Sequence, residues 1–153
     1  MNYWIMKSEP DTFSMSDLMR AKNQKTLWEG VRNYQARNYM RDQMKQGDKV
    51  FIYHSSCAQI GLAGLAEVSS KTVLVDPAQF DPQSDYFDPK ATVQKPRWFC
   101  VEVKGLQIFK KIIELKELKL IPELSQLKLL ATGNRLSIMP ITKDEFEIML
   151  NLN

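Results

Sequence analysis

Residues 28–37 read Trp-Glu-Gly-Val-Arg-Asn-Tyr-Gln-Ala-Arg, and the rest of the chain is organised around this stretch. Its residue types differ from those of an ordinary core segment. Gly30 lets the backbone approach a partner closely, Arg32 supplies a planar cationic fork, and Asn33 offers donor and acceptor together. Beside Trp28, this set fits stacking on a flat polar ring next to a phosphate. A buried tryptophan, a turn glycine and solvated arginines would explain the same pattern.

A helix is predicted to follow, because apolar residues recur every four positions as one buried helix face requires. These residues are Ala36, Met40 and Met44. Arg37 and Arg41 recur on a neighbouring ridge of the same helix. Arg32 and Asn33 precede it, where backbone N–H groups and the helix dipole favour an anion. We predict phosphate contacts for Arg32, Arg37 and Arg41, and a solvated face remains the alternative for the last two.

The first strand candidate, residues 3–6, ends at a polar turn with the sequence Lys7-Ser8-Glu9-Pro10. Proline removes a backbone donor and disfavours helix at the residue before it. Loops on a rigid scaffold often carry function, so Lys7 and Ser8 are candidate site residues, although an ordinary turn explains them equally well. Ser14 has capping-box spacing to an aspartate three residues on, which predicts a short helix from about residue 15 to 22.

Residues 49–55 are predicted to form a strand with Tyr53 and Ser55 on one face and His54 on the other. His54 is the only histidine. Because no Cys or Ser nucleophile accompanies it in a known local signature, we interpret it first as a hydrogen-bonded structural residue. A binding role is second and a catalytic base third.

Residues 60–68 form a strand candidate with two glycines, which indicate a bend, a bulge or close approach of another backbone. Residues 76–96 form a long loop that contains four of the seven prolines, and loops of that length are usually functional or flexible. Its aspartates lack EF-hand spacing, so no metal is predicted. Tyr86 and Phe87 indicate that part of the loop folds back onto the body.

The C-terminal half is less clearly patterned. Residues 97–109 are predicted to be the longest strand, and residues 112–120 fit strand and helix equally. A helix is predicted to begin at Pro122, on the spacing of its leucines and a glycine beyond the end. Residues 136–139 fit a short strand that ends at the next proline. Thr142, with a glutamate three residues on, is a clear N-cap for a final helix.

Length and composition bound the possibilities. At 153 residues with 44% hydrophobic and 25% charged residues, we expect one globular domain over residues 1–153. No long apolar run or signal-peptide pattern is present, so we expect a cytoplasmic protein, or a nuclear one in a eukaryote. Cys57 and Cys100 are interpreted as reduced thiols, and no cofactor is predicted. The net charge of +3 favours weak, contact-limited binding to an anionic partner.

The order of the elements predicts an α+β fold, with a small mixed sheet curled into a barrel and helices packed around it. Five ordered blocks, together spanning nearly the whole chain, resemble the EVE domain family. They are Tyr3-Trp4-x-x-Lys7-Ser8-Glu9-Pro10, Trp28-x-Gly30-Val31-Arg32-Asn33-Tyr34-x-Ala36-Arg37-Asn38, Gly47-Asp48-x-Val50-x-x-Tyr53-His54-Ser55, Pro96-Arg97-Trp98 and Gly133-Asn134-Arg135-Leu136-Ser137.

The resemblance implies a PUA-like fold related to YTH and ASCH domains, and a non-enzymatic reader of a modified base in DNA or RNA. By position, Lys7-Ser8 matches the end of the first strand in YTH domains, and Trp28 resembles their first cage aromatic. Trp98 is the candidate for a second aromatic wall. The predicted base-binding residues are Lys7, Ser8, Trp28, Gly30, Val31, Arg32, Asn33, Tyr53, His54, Ser55 and Trp98.

Two other functions stay open on the sequence. An enzyme acting on a nucleobase or nucleotide, as in some ASCH-type domains, would need an acid or base in the pocket, for which Glu9, Glu29 and His54 are the candidates. A protein-interaction module would use the loop of residues 76–96. No membrane partner is expected.

Overall fold

The computed structural model describes residues 1–153 and shows a mixed sheet that forms a half-barrel with four helices packed around it. The strands are β1 (Tyr3–Ser8), β2 (Lys25–Leu27), β3 (Lys49–His54), β4 (Gly61–Val68), β5 (Leu74–Val75), β6 (Phe99–Cys100), β7 (Glu102–Glu114) and β8 (Ile138–Ile141). The helices are α1 (Met15–Arg20), α2 (Tyr34–Asn38), α3 (Leu115–Leu118) and α4 (Lys143–Leu150). A π-helical turn (Tyr39–Gln43) continues α2.

Six strands form the main sheet in the order β2-β7-β4-β3-β1-β8, and β5 pairs only with β6. β1 and β3 are parallel, whereas the other neighbours in the sheet are antiparallel. The predicted α+β fold with a curved mixed sheet is confirmed. None of the helices has both the length and the apolar run that crossing a bilayer requires.

Two hydrophobic clusters lie on opposite faces of the sheet, because successive strand side chains alternate between faces. Trp4 and Ile52 belong to the cluster that packs against α1 and α2. Ile5 and Phe51, their neighbours in sequence, belong to the cluster that packs against α4. The apolar helix face predicted from Ala36, Met40 and Met44 is confirmed, since all three are buried in the first cluster.

The capping boxes predicted at both ends of the chain are confirmed. Ser14 Oγ accepts a hydrogen bond from Asp17 N, and the Asp17 carboxylate accepts one from Ser14 N. Thr142 and Glu145 form the same reciprocal pair at the start of α4. These caps satisfy backbone donors that a helix leaves free, so they fix where α1 and α4 begin.

The glycines of β4 allow the neighbouring backbone to approach, as predicted. The pairing of β4 with β7 shifts register between Leu62 and Gly64. A Cβ at Gly64 would lie 2.6 Å from the Gln107 carbonyl oxygen and 2.6 Å from Met15. Gly64 is therefore the point where a bulged, curved strand contacts both β7 and α1.

The predicted strand over residues 97–109 is wrong in its bounds. The chain leaves the small sheet after β6 and enters the main sheet at Glu102, so Val101 separates two strands. β7 then continues to Glu114, which assigns residues 112–114 to a strand and residues 115–118 to α3. The strand predicted to end before Pro140 instead includes it, because β8 is an edge strand and needs no donor on its outer side.

The helix predicted from Pro122 is also wrong. The structure has two short 3₁₀ turns there, Pro122–Leu124 and Lys128–Leu130. A three-residue leucine spacing fits the 3₁₀ repeat as well as the α-helix. Leu127 takes an extended backbone with ψ of 123°, which divides the segment. Its leucines still point inward, since Leu124, Leu127 and Leu129 are buried.

Gly64→Ala is expected to destabilise the protein by about 2 kcal/mol, because the added methyl group overpacks a contact between two strands and a helix. Gly133→Ala is the control: its site is open and only its φ of +76° opposes a side chain, so we expect about 1 kcal/mol. Urea denaturation of both variants measures the difference. A smaller loss for Gly64→Ala than for Gly133→Ala would contradict the close approach.

Candidate nucleic-acid interface

A cavity of about 780 Å³ opens at the C-terminal ends of the parallel strands β1 and β3. That volume lies within the range of small-molecule sites. Its walls come from the end of β1, the following turn, β2, residues 28–33, the residue after β3, the 76–96 loop and the segment before β8. The lining residues are Lys7, Ser8, Glu9, Thr12, Phe13, Thr26, Leu27, Trp28, Glu29, Gly30, Val31, Arg32, Asn33, Ser55, Tyr86, Arg135 and Ser137.

Trp28 is both a core residue and a cavity wall. The residue is 8% exposed and belongs to the first hydrophobic cluster. Its ring meets that of Phe13 edge-on at 6.3 Å, and its backbone N–H donates to the Val101 carbonyl at 2.9 Å. The indole N–H has no partner in the protein yet is not sealed from solvent. The tryptophan therefore offers the cavity a fixed ring and a free donor.

Lys7 is an unpaired cation in the cavity. Its side chain makes no hydrogen bond or ion pair, and its ammonium group lies 5.7 Å from the ring centroid of Tyr53. Burial lowers the pKa of Lys7 from its ordinary value, because removing water disfavours the charged form. An anion bound here would offset that penalty.

The polar groups near Lys7 are partly committed to the fold. The Ser8 hydroxyl donates to the Phe13 carbonyl, so it can offer a ligand only acceptor lone pairs. Asn33 caps α2, with its side-chain oxygen accepting from Ala36 N at 3.0 Å, which leaves the amide NH₂ free. Ser55 donates its backbone N–H to the Ser8 carbonyl at 3.0 Å, and its hydroxyl has no partner.

Asp76 ties the 76–96 loop to residues 28–32. Its side chain is 0% exposed, and its carboxylate accepts hydrogen bonds from Gly30 N at 2.8 Å, Arg32 Nη1 at 2.9 Å and Ala78 N at 2.8 Å. Arg32 also donates to the carbonyls of Val31 and Tyr86. Four of its five N–H groups are thereby used. The phosphate contact predicted for Arg32 is therefore limited to one N–H. The residue mainly connects the 76–96 loop to residues 28–32.

Tyr86 joins Trp28 and Phe13 as an aromatic wall of the cavity, in the role that the sequence analysis gave to Trp98. A Cβ at Gly30 would lie 2.7 Å from the Tyr86 ring, so only glycine lets this ring cover the backbone there. Gly30 also has a φ of +86°, which other residues rarely adopt. The expectation that Tyr86 folds back onto the body is confirmed.

Trp98 does not line the cavity. It is 5% exposed, stacks on Tyr34 at 4.9 Å and donates its indole N–H to Asp88 at 2.7 Å. The prediction erred because the long loop separates Trp98 from Trp28, and the small sheet of β5 and β6 places Trp98 behind Arg32. The Arg32 guanidinium lies 5.2 Å from its ring centroid.

Arg37 and Arg41 also lie outside the cavity. Arg37 donates to the Arg97 carbonyl at 2.9 Å and to the Asn38 side chain, and Arg41 pairs with Asp42 at 2.8 Å. Burial and the neighbouring Arg41 lower the pKa of Arg37. These two arginines mark a surface beside the cavity and not the cavity itself.

The strand residues Tyr53 and His54 are structural in this fold. Tyr53 is buried in the second cluster. His54 Nε2 accepts a hydrogen bond from Met15 N at 3.0 Å, which requires the neutral ring to carry its proton on Nδ1. Burial lowers the pKa of His54. The first-ranked interpretation, a hydrogen-bonded structural histidine, agrees with this geometry.

Sequence reasoning missed Tyr86, Arg135 and Ser137 as cavity residues. Arg135 and Ser137 belong to the fifth block that resembles the EVE family, and that membership was the available signal. Arg135 forms no ion pair and is the second cation of the cavity without a carboxylate partner. Glu9 and Glu29 also line the cavity, and burial followed by the nearby Asp76 raises the pKa of Glu29.

Asp76→Ala is expected to destabilise the protein by about 3 kcal/mol, because it leaves the Arg32 charge and two backbone donors without their partner. Hydrogen exchange should then rise in residues 76–88. Asp42→Ala is the control. It breaks the exposed Arg41–Asp42 ion pair, and we expect little change in the free energy of unfolding. Similar denaturation midpoints for both variants would contradict the role of Asp76 in holding the 76–96 loop to residues 28–32.

The lowered pKa of His54 predicts that the protein loses stability in acid. Because its pKa in the folded state lies below the ordinary value of about 6.5, the unfolded chain binds the proton first. The stabilisation is complete above that value and declines as the pH falls through it. His54→Gln retains an acceptor for Met15 N without titrating. Urea denaturation at pH 7.5 and 5.5 should show a larger decline for the wild type than for His54→Gln, and equal declines would contradict it.

The similarity to known proteins extends over nearly the whole chain. The EVE domain matches residues 2–152. Human thymocyte nuclear protein 1 is 39% identical over 167 aligned residues, which span 99% of this chain and 73% of the human protein. A structure of human THYN1 in complex with 5-methylcytosine-containing DNA is 38% identical, with a TM-score of 0.91 over 99% of this chain and 97% of that chain.

Two further solved structures resemble this chain. A Pseudomonas syringae protein is 47% identical, with a TM-score of 0.92 over 98% of each chain. An ASCH protein of Zymomonas mobilis has a TM-score of 0.57 over 99% of each chain at 10% identity, which shows a shared PUA-like fold alone. The family match extends from the first strand to the last helix, through every segment that lines the cavity. The chain belongs to the EVE domain family.

Proposed function

We propose that this protein is a non-enzymatic reader of a modified base in DNA, and that it holds the base in the cavity beside Trp28. The observation that carries the proposal is the cavity itself, which combines a fixed tryptophan with a free N–H and the unpaired cation Lys7. Human THYN1, 38% identical, has been solved with 5-methylcytosine-containing DNA. We therefore take 5-methylcytosine as the first base to test.

A base must leave the helix to enter this cavity, which costs a few kcal/mol. Stacking on an aromatic ring returns roughly 1–3 kcal/mol, so Trp28 alone does not offset the cost. Edge hydrogen bonds must contribute the remainder. The free donors and acceptors at the cavity surface include the Trp28 indole N–H, the Asn33 amide and the Ser55 hydroxyl.

The phosphate of the extracted nucleotide is assigned to Lys7 and Arg135. Both line the cavity and neither has a carboxylate partner, whereas Arg32 is neutralised by Asp76. Burial disfavours the charged form of Lys7, and a bound phosphate would favour that form again by pairing with the ammonium group. Arg37 and Arg41, for which phosphate contacts were also predicted, lie outside the cavity and are not assigned to this phosphate.

The methyl group itself contributes a limited share of selectivity. A single methyl or methylene in an apolar pocket changes binding by about 1–3 kcal/mol, or roughly 10- to 200-fold. The apolar cavity residues Phe13, Leu27 and Val31 are available for that contact. We therefore expect a preference near the low end of this range, since the cavity is open on one side.

The enzymatic alternative finds less support in the geometry. Glu9 and Glu29 line the cavity, but His54 lies outside it and is bonded to the backbone of Met15. Neither glutamate is hydrogen-bonded to a nucleophile that it could activate. In the interaction-module alternative, the 76–96 loop would be free, yet Asp76 and Asp88 are both turned inward onto cationic partners.

We expect the protein to bind a short oligonucleotide with one 5-methylcytosine about tenfold more tightly than the unmethylated sequence, with quenching of tryptophan fluorescence. Lys7→Ala should weaken both complexes and flatten the salt dependence by about one phosphate contact. Lys143→Ala, at an exposed position on α4, is the control.

Trp28→Phe should lower the affinity and remove most of the fluorescence quenching. The fold should persist, because phenylalanine retains part of the buried contact. Trp28→Ala is unsuited to this test, since truncating a buried tryptophan costs about 3–5 kcal/mol. Equal affinity for methylated and unmethylated DNA, together with quenching unchanged in Trp28→Phe, would overturn the proposal.

A further inference from the structure

An aromatic–arginine stack, made of Tyr86, Arg32, Trp98 and Tyr34, runs from the cavity wall to the protein surface. The Arg32 guanidinium lies 5.7 Å from the Tyr86 ring centroid and 5.2 Å from that of Trp98. Trp98 then stacks on Tyr34 at 4.9 Å, with an interplanar angle of 18°. One end of the stack lines the cavity, and the other end is a tyrosine at the surface.

Tyr34 is exposed and yet held in place. The residue is 48% exposed although Trp98 covers one part of the ring. Its hydroxyl accepts a hydrogen bond from Arg97 Nη2, and the Arg37 guanidinium lies 4.7 Å from its ring centroid. A tyrosine fixed in this way loses little conformational entropy when a flat ligand stacks on it.

The charges around Tyr34 favour an anion beside that ring. Arg37 has no carboxylate within ion-pair distance and keeps two of its five N–H groups free. Arg97 is balanced by Asp88 at 3.3 Å. The nearby Arg41 and Arg97 charges contribute to lowering the pKa of Arg37, after burial. Asn33, the residue before Tyr34, lines the cavity, so the surface begins where the cavity ends.

We infer that Tyr34 is a second stacking site, which takes a nucleobase adjacent to the modified one while Arg37 contacts the phosphate between them. The inference rests on the proposed function, because it assumes that the cavity holds a base. An aromatic platform with a flanking cation binds any base by its π-face, and phosphate contacts fix the register without reading sequence. The cavity would then supply selectivity, and Tyr34 would supply affinity for the strand.

The test compares a mononucleotide with an oligonucleotide. Binding of 5-methyl-2′-deoxycytidine monophosphate and of a labelled ten-nucleotide strand with one central 5-methylcytosine is measured for wild type, Tyr34→Ala and Tyr34→Phe. We expect Tyr34→Ala to weaken oligonucleotide binding about tenfold and mononucleotide binding less than twofold. Tyr34→Phe keeps the ring and should behave as the wild type.

Two further variants keep the outcome interpretable. Tyr3→Ala removes a tyrosine whose ring centroid lies 4.6 Å from that of Phe146, at the other hydrophobic cluster, and it controls for general loss of stability. If Tyr34→Ala does not fold, Tyr34→Leu retains apolar contact with Trp98 without an aromatic face, and the same tenfold loss is expected.

The outcomes separate the two claims. In one outcome, the wild type binds the methylated ligands, and Tyr34→Ala or Tyr34→Leu binds the oligonucleotide as tightly as the wild type does. This outcome would overturn the stacking site alone. Equal losses for mononucleotide and oligonucleotide would also overturn it, because they place the effect within the cavity. Wild type that binds neither ligand would overturn the proposed function and this inference together.

Discussion

The buried carboxylate of Asp76 is the contact on which the geometry of the cavity depends. It joins two segments that are 44 to 46 residues apart, by accepting hydrogen bonds from Gly30 N and from Arg32. Removing one member of a buried pair costs far more than forming the pair returns, because the other charge is left without a partner. Arg32 also donates to the Tyr86 carbonyl, so the Asp76 carboxylate fixes where Tyr86 lies relative to Trp28.

The site is built from core residues, which explains how it stays preformed. Trp28 packs in the same cluster as Trp4 and Ile52, so its rotamer is fixed before any ligand arrives. Preorganisation of this kind lowers the entropy lost on binding. Under the proposed function, binding and stability share residues, so a truncation at Trp28 reports on both. The uncommitted groups, Lys7 and Arg135, lie at the cavity surface and carry little of the fold.

Much of the fold was predictable because β1, β3, β4 and α4 carry local signals: alternating faces, in-strand glycines and capping boxes. The leucine-rich segment after Pro122 was not, since its three-residue spacing fits two kinds of helix. In the site, local blocks identified Lys7, Trp28 and Asn33. That Tyr86 and not Trp98 lines the cavity depends on long-range contacts between the 76–96 loop and residues 28–32. Periodicity in a single sequence does not encode such contacts.

The most direct test of the central claim is whether the modified base leaves the duplex. A duplex with 2-aminopurine opposite or beside a single 5-methylcytosine reports unstacking as a rise in fluorescence. If the base enters the cavity at Trp28, wild-type protein should raise the signal at saturating concentration with the methylated duplex and less with the unmethylated one. Binding of the methylated duplex with no change in 2-aminopurine fluorescence would contradict extraction, and would place recognition in a groove of intact DNA.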